Sequence, residues 1–553
     1  MDSLLVWSVD PMRKVFKDDL PPQKSTRQVT METVRGALAT GQIAVKSSHG
    51  ATLEIKPFKL REGIGGEQIT IIPRFVGFVL INVNTPDTPV RPIAGCPLSG
   101  EIDREAPCKI PDPLLEDDCL RIEPGESQPI WFTAEVPCEQ KPGIYRGEFK
   151  FKVDNHIESA PVELEIYSAT VPKERHLWVV NHLRAEPLAE FYGVEPWSPE
   201  HWEILKNFAE DMALHRQSMI NPPMFSLVRV IKDKDGLSFD FTLYDHFVEL
   251  FKKAGVVGKI EGTPLGGSDR KTVSLPEIQI LNSDGKVAYR QPRLNIRSPE
   301  ARDFLSKFLP VLEKHLEDKG WLDIYLQRIF DEPRDEDAKE FRFLSSMVKE
   351  FSPKIRRMEP ILTVDLEDAL DVWIPPLEHF EGGIGFDRYQ NFFKELQKQG
   401  KEVWFYTCFS PRGSYPNRFI DFPLIKQRYL HWINFKYDLP GFLHWGYNGA
   451  YKIWGRLYWN YRNEFCCGIS REYYDAPGDA FIVYPGEKRP LSCLRYEIHR
   501  KSIEDYELLR SLSNKNPKLA EEIVDSVLPS ITGYERRIEK FNSVWRRLVK
   551  ALS

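Results

Sequence analysis

Asp331 and Glu332 stand side by side at the end of the apolar run 324–330, directly before Pro333. A carboxylate taken out of water is costly unless it is paired or put to use. Two adjacent acids at the mouth of a buried strand therefore point to chemistry. A helix start explains one of them, with a carboxylate at the N-cap, Pro333 at the first helical position and Asp335, Glu336 and Asp337 favoured by the helix dipole. It does not explain both. Successive strand residues face opposite ways, so neighbours are poor candidates for the opposed carboxylates of most glycosidases, which lie about 5 to 5.5 Å apart for retention and about 6.5 to 9.5 Å apart for inversion. Adjacent acids suit a substrate that carries its own nucleophile. If a sugar bears a 2-acetamido group, its carbonyl oxygen can attack, and the protein needs one carboxylate to steady the amide and one to protonate the leaving oxygen.

Sugar rings have an apolar face that stacks on aromatic side chains. Trp404 and Tyr406 share one face of a strand by alternation, as do Trp445 and Tyr447 after the next. Trp445 is expected as a stacking platform, Tyr447 as a hydrogen-bond donor to the acetamido oxygen, and Asn448 as a contact for a sugar hydroxyl. Trp404 and Tyr406 read equally as pocket wall or as core. Asn181, His182 and Asn221 are weaker candidates for hydroxyl contacts, and Arg412 and Asp387 either rim the pocket or pair with each other.

The elements that must hold these residues are legible from periodicity. Over residues 1–170 short alternating runs separated by Pro- and Gly-bearing turns predict an antiparallel β-sandwich. From 171 to 490 short apolar strands alternate with amphipathic helices, the texture of βα units. Eight strands are expected, at 177–182, 217–220, 256–260, 323–330, 356–363, 371–374, 402–407 and 441–446. Helices are expected at 199–215, 299–318, 334–351, 387–399 and 423–436. This count predicts a (β/α)8 TIM-like barrel, in which working residues project from the carboxyl ends of the strands. Asp331 and Glu332 would sit at that end of the fourth strand, and the excursion 261–297 over the same face. Residues 491–553 read as C-terminal helices packing on the barrel.

Seventy-five basic against 81 acidic residues give a net charge of −6, and no basic block tracks phosphates, which argues against nucleic acid. No apolar stretch approaches the roughly 18 to 20 residues that span a bilayer, so no membrane partner is expected. The start, Met1 to Ser8, lacks a charged-then-apolar leader. A cytoplasmic location is expected, although a secreted protein with its leader removed reads the same. Cys96, Cys108, Cys119 and Cys138 match no zinc spacing and read, with Cys466-Cys467, as free buried thiols. No metal or organic cofactor is required by the chemistry above, and oligomeric state is not legible.

The order of several short stretches resembles glycoside hydrolase family 123, the retaining β-N-acetylgalactosaminidases, over most of the chain. These are Val6-Trp7-Ser8-Val9-Asp10, Gln128-Pro129-Ile130-Trp131, Asp331-Glu332-Pro333, residues 404–408 and 441–448, Pro477-Gly478-Asp479, Tyr484-Pro485-Gly486, and Leu494-Arg495-Tyr496-Glu497 through residues 504–507. The resemblance implies a sandwich followed by a barrel, with Asp331 stabilising the acetamido group and Glu332 acting as general acid and then base. The implied partner is a glycan or glycoconjugate ending in a β-linked N-acetylhexosamine. The chain departs from the family pattern in having Arg328-Ile329-Phe330 where His-x-Ser is usual, in lacking the usual aromatics over 261–267, and in having Arg184 in place of a His. Two other readings stay open. One is a glycosidase for a sugar without an acetamido group, pairing Glu332 with Asp387 or Asp365. The other is a non-catalytic glycan-binding protein on a degenerate barrel.

Overall fold

The computed structural model describes residues 4–63, 66–88, 101–268, 272–381, 386–449, 457–460, 464–467 and 476–553. They gather into two compact units, one of Met1–His176, Arg412–Asp438 and Asn448–Ser553, the other of Leu177–Pro411 and Leu439–Tyr447.

The first unit begins with a mostly-sheet region and ends in helices. Its strands run in the order Leu4–Val9, Leu38–Ser47, Ser127–Glu135, Gln68–Ile81, Phe58–Arg61, Gly143–Val153, His156–Thr170 and Val29–Arg35. A two-residue turn, Asp154-Asn155, joins Gly143–Val153 to His156–Thr170, with Asp154 at φ +53°, the left-handed geometry that tight hairpins need. Alternation turns Phe132, Phe149 and Phe151 inward, where Phe132 and Phe149 meet edge to face at 4.8 Å. The antiparallel expectation is corrected at two pairings: His156–Thr170 takes Val29–Arg35 as a parallel neighbour, and Glu464–Cys467 pairs parallel with residues 78–81. His156–Thr170 thus lies between an antiparallel neighbour, Gly143–Val153, and a parallel one, since the backbone groups on a strand's open side can be satisfied by a partner of either direction. Cys119 is exposed on the short strand Cys119–Ile122, against the expectation of a buried thiol.

The terminal helices are Leu494–Lys515, Pro517–Asp525 and Ile538–Leu552. The first is buried along most of its length, and its charges are paired accordingly. Arg495 Nε donates to Asp112 Oδ2 at 2.8 Å, with both side chains fully enclosed. Asp505 accepts from Arg428, Trp432 Nε1 and Trp545 Nε1.

In the second unit every barrel-type strand is parallel to its neighbours. Met219–Ile220, Lys259–Gly262, Tyr325–Arg328, Arg356–Pro360, Val372–Ile374 and Glu402–Val403 form one sheet, in that order. Trp178–Asn181, Gly441–His444 and Phe405–Thr407 form a second. Backbone bonds from Trp404 N to Trp373 O and from Tyr406 N to Pro375 O carry the pairing across residue 404, and Ser218 N donates to Val179 O on the other side. The result is a nearly closed, barrel-like sheet.

Helices Pro199–Leu214 and Pro299–Asp318 start as read, each with a Ser side chain accepting an N–H three residues on and Pro at the first turn. The helix expected from 334 begins at Ala338, because Asp335–Asp337 forms a tighter 3-10 turn capped by Arg334 and Asp337. The strand expected to 363 stops at Pro360. A separate four-stranded sheet, Gly236–Asp240, Arg229–Asp233, Ile278–Asn282 and Val287–Gln291, was not anticipated.

Candidate active site

Strand Tyr325–Arg328 delivers its last residue to the rim of the barrel-like sheet, and the chain then turns through Asp331 and Glu332 before Pro333. Asp331 is exposed and Glu332 half-buried. Glu332 has φ +46°, a conformation that costs a non-glycine residue on the order of 1–3 kcal/mol. Beyond the strand end the positive φ breaks the alternation that would send adjacent side chains apart. The negative charge of Asp331 consequently reaches its neighbour. Burial and that charge push the Glu332 carboxyl up to about 7, against the opposing hydrogen bond from Tyr406 and the positive charges of Arg328 and Arg334. The Tyr406 hydroxyl donates to Glu332 Oε1 at 2.5 Å. Burial and the facing Glu332 hold that phenol well above its ordinary pKa, so it remains a donor.

Behind Asp331 lies a buried charge cluster. Arg328 Nε donates to Glu359 Oε1 at 2.8 Å and its Nη1 to Glu261 Oε1 at 3.2 Å, while Nη2 donates to Asp331 Oδ1. Glu359 Oε2 accepts the Ile329 N–H at 2.7 Å, and His182 Nε2 lies 2.9 Å from Glu261 Oε2. Burial raises Glu359 to about 8 in spite of Arg328. Burial would raise Glu261 too, but His182 and Arg328 outweigh it and its pKa is lowered.

His182, Arg184, Asn221, Glu261, Thr263 and Arg328 line a cavity of about 300 Å³, at the small end of the range of about 300–1,000 Å³ for small-molecule sites. The guanidinium carbon of Arg184 lies 5.8 Å from the centre of the half-buried Trp445 ring, which places that aromatic beside the cavity. Arg328 thus joins the cavity wall to Asp331.

Of the residues picked out in the sequence, the structure brings together Asp331, Glu332 and Tyr406, sets His182 and Asn221 in the wall of the cavity, and sets Trp445 against Arg184 of that wall. Tyr447 is held elsewhere: it is fully buried, its hydroxyl donates to Asp211 Oδ2 at 2.7 Å, and Phe208 packs edge-on against it. Trp404 is core, with Nε1 bonded to Glu402 at 3.1 Å and its ring so close to Gly441 that a Cβ there would sit 2.0 Å from Cδ2. Asn181 is buried and donates to Gln217. Asn448 and Arg412 belong to the first unit, where Asn448 bridges Phe481 and Arg412 donates to the carbonyls of Thr85 and Thr88. The side chain of Asp387 lies outside the described residues.

Sequence reasoning missed Glu261, Arg328 and Glu359 as members of the site. Each is a buried charge on a short parallel strand, but Lys259, Arg356 and Arg357 stand on the same strands, so charge alone does not single it out in the sequence. Among the described residues no group of three or more His, Cys, Asp or Glu side chains is gathered to hold a metal ion, and no helix is long and apolar enough to cross a membrane.

A likeness in overall fold joins this chain to a family 123 glycoside hydrolase from Clostridium perfringens, solved in work on glycolipid glycan hydrolysis: TM-score 0.72 and 18% identity over 100% of this chain and 98% of that one. A Parabacteroides merdae β-glucuronidase with glycerol in its active site aligns only loosely, with TM-score 0.28 and 10% identity over 76% of this chain and 46% of that one. No curated protein sequence matches. The family described as glycoside hydrolase 123, catalytic domain, matches residues 182–512, a span that holds the acid pair, Tyr406, Trp445 and the Arg328 cluster. The chain belongs to glycoside hydrolase family 123 and is a glycoside hydrolase.

Proposed function

We propose that the protein is a retaining exo-β-N-acetylhexosaminidase, with β-N-acetylgalactosamine the preferred sugar, and that the second unit is a (β/α)8 barrel carrying substrate-assisted catalysis. The observation that carries this reading is the placement of Glu332, half-buried next to Asp331 and bonded to the Tyr406 hydroxyl, where burial and the Asp331 charge push its pKa up to about 7. An acid of that strength is half-protonated at neutral pH, as a group that gives a proton and then takes one back must be.

The terminal sugar lies with its apolar face on Trp445. Glu332 protonates the glycosidic oxygen as the bond to the anomeric carbon breaks. The acetamido oxygen attacks that carbon from the opposite face, and Asp331, held by Arg328, accepts the amide N–H and stabilises the oxazolinium ion that forms. Water then opens this ion, giving its proton to Glu332. Two inversions leave the β configuration unchanged.

The natural substrate is a glycan or glycoconjugate ending in such a sugar, and the glycolipid glycan named for the Clostridium perfringens relative is one source. The test is an aryl-glycoside panel of β-GalNAc, β-GlcNAc and β-Gal, with an oxazoline-mimicking thiazoline as inhibitor. The reading expects cleavage of one or both acetamido sugars, tight thiazoline inhibition and negligible cleavage of β-Gal. Comparable turnover of β-Gal without thiazoline inhibition overturns it.

A further inference from the structure

The mechanism above uses Asp331 but leaves unexplained the guanidinium buried behind it. We propose that Arg328 is the positioning residue that fixes the Asp331 carboxylate against the substrate's amide, and that Glu261 and His182 brace Arg328 for this task; the inference rests on the role proposed for Asp331.

Three observations carry it. Asp331 is 69% exposed and sits on a turn, so packing alone does not hold its carboxylate, whereas the Arg328 side chain is only 6% exposed and rigidly engaged. The guanidinium is planar and its five donors point in fixed directions. Here Nε and Nη2 clasp Glu359, with Nη2 2.6 Å from Oε1, and Nη1 reaches Glu261, which leaves Nη2 aimed at Asp331 Oδ1 in one orientation. A lysine at this position has a single ammonium and cannot hold the same set in one plane.

The charge balance points the same way. Three carboxylates face one guanidinium, and burial pushes the Glu359 carboxyl up to about 8 against the pull of Arg328. Glu261 is held from its other oxygen by His182 at 2.9 Å. The brace thus links the ends of four strands, those ending near His182, Glu261, Arg328 and Glu359. Arg328 stands in the sequence Arg328-Ile329-Phe330-Asp331, three residues before the acid it orients.

A double-mutant cycle tests the inference, read on 4-nitrophenyl β-N-acetylgalactosaminide and its GlcNAc analogue. Arg328→Lys should lower kcat by about ten- to a hundredfold with KM nearly unchanged, while the same change made in an Asp331→Asn background should cost less than about twofold. Independent, additive losses overturn the inference. Should Arg328→Lys fail to fold, Glu261→Gln serves instead, since Arg328 stays in place: a kcat loss of about three- to tenfold that disappears in the Asp331→Asn background supports the inference, and additivity overturns it. The cycle stands apart from the aryl-glycoside panel on the unaltered enzyme. Rapid β-Gal cleavage without thiazoline inhibition removes the acetamido mechanism, whereas additivity with that panel satisfied removes only the role of Arg328.

Discussion

The Tyr406 hydroxyl meets Glu332 Oε1 at 2.5 Å, joining strand Phe405–Thr407 to the turn that follows strand Tyr325–Arg328. The bond stabilises the ionised carboxylate. Burial and Asp331 favour the neutral acid. The balance between them sets the proton affinity of the acid proposed to act twice.

A pH profile reads that balance. The protonated fraction of Glu332 falls as pH rises through about 7, so kcat/KM should decline on the alkaline side from near that value. Tyr406→Phe removes an interaction that lowers the pKa, and the alkaline limb should move to higher pH. A shift to lower pH would contradict the hydrogen-bond assignment.

Glu332→Gln separates activity from stability. The rate on 4-nitrophenyl substrates should fall by about 10² to 10⁴. A carboxyl raised from 4.5 to about 7 is destabilising when ionised: the penalty is absent below the unfolded pKa, grows as pH rises toward the folded pKa, and is complete above it at roughly 3 kcal/mol. Chemical denaturation should therefore show the variant more stable than the parent at pH 8 and equal to it near pH 4.

Tyr447→Phe distinguishes core from pocket. The hydroxyl donates to Asp211, an acid only 13% exposed, so its loss should cost about 1 to 2 kcal/mol of stability. It should leave kcat/KM within about threefold, because a hydrogen bond spent in the core supplies no transition-state contact. A large kcat/KM loss with unchanged stability would return Tyr447 to the sugar.

The Arg495–Asp112 pair tests the first unit. Both side chains are fully enclosed, and Arg495 Nη1 also donates to the carbonyls of Arg418, Gly478 and Phe481. Arg495→Met leaves a buried carboxylate and three carbonyls short of a donor, and should cost about 3 to 5 kcal/mol, measured by urea unfolding.

The acid pair was legible because its residue types conflict with their place at the end of an apolar run. The helix starts at 199 and 299 were read correctly, and each proves to be capped by the Ser before its Pro. The separate four-stranded sheet was missed although Asp235-Gly236 and Asp284-Gly285 mark its turns, since three of its strands, Arg229–Asp233, Gly236–Asp240 and Val287–Gln291, lack a clean buried alternation. The partner of the Tyr447 hydroxyl was hidden for another reason. Strand alternation assigns a face to a side chain but does not see the helix Pro199–Leu214, whose Asp211 captures the hydroxyl. Arg328 read as a departure from a pattern, and only three-dimensional contact with Glu261 and Glu359 reveals what it holds.

The central claim is that the attacking atom belongs to the substrate's own amide. Successive fluorination of the N-acetyl group in an aryl β-N-acetylgalactosaminide withdraws electrons from the carbonyl oxygen while barely changing its size. If that oxygen is the nucleophile, kcat/KM falls steeply with each fluorine, by about tenfold or more per step, a loss of over 1 kcal/mol of transition-state stabilisation each time. A rate indifferent to fluorination would contradict the account and return the search to a carboxylate nucleophile on the protein.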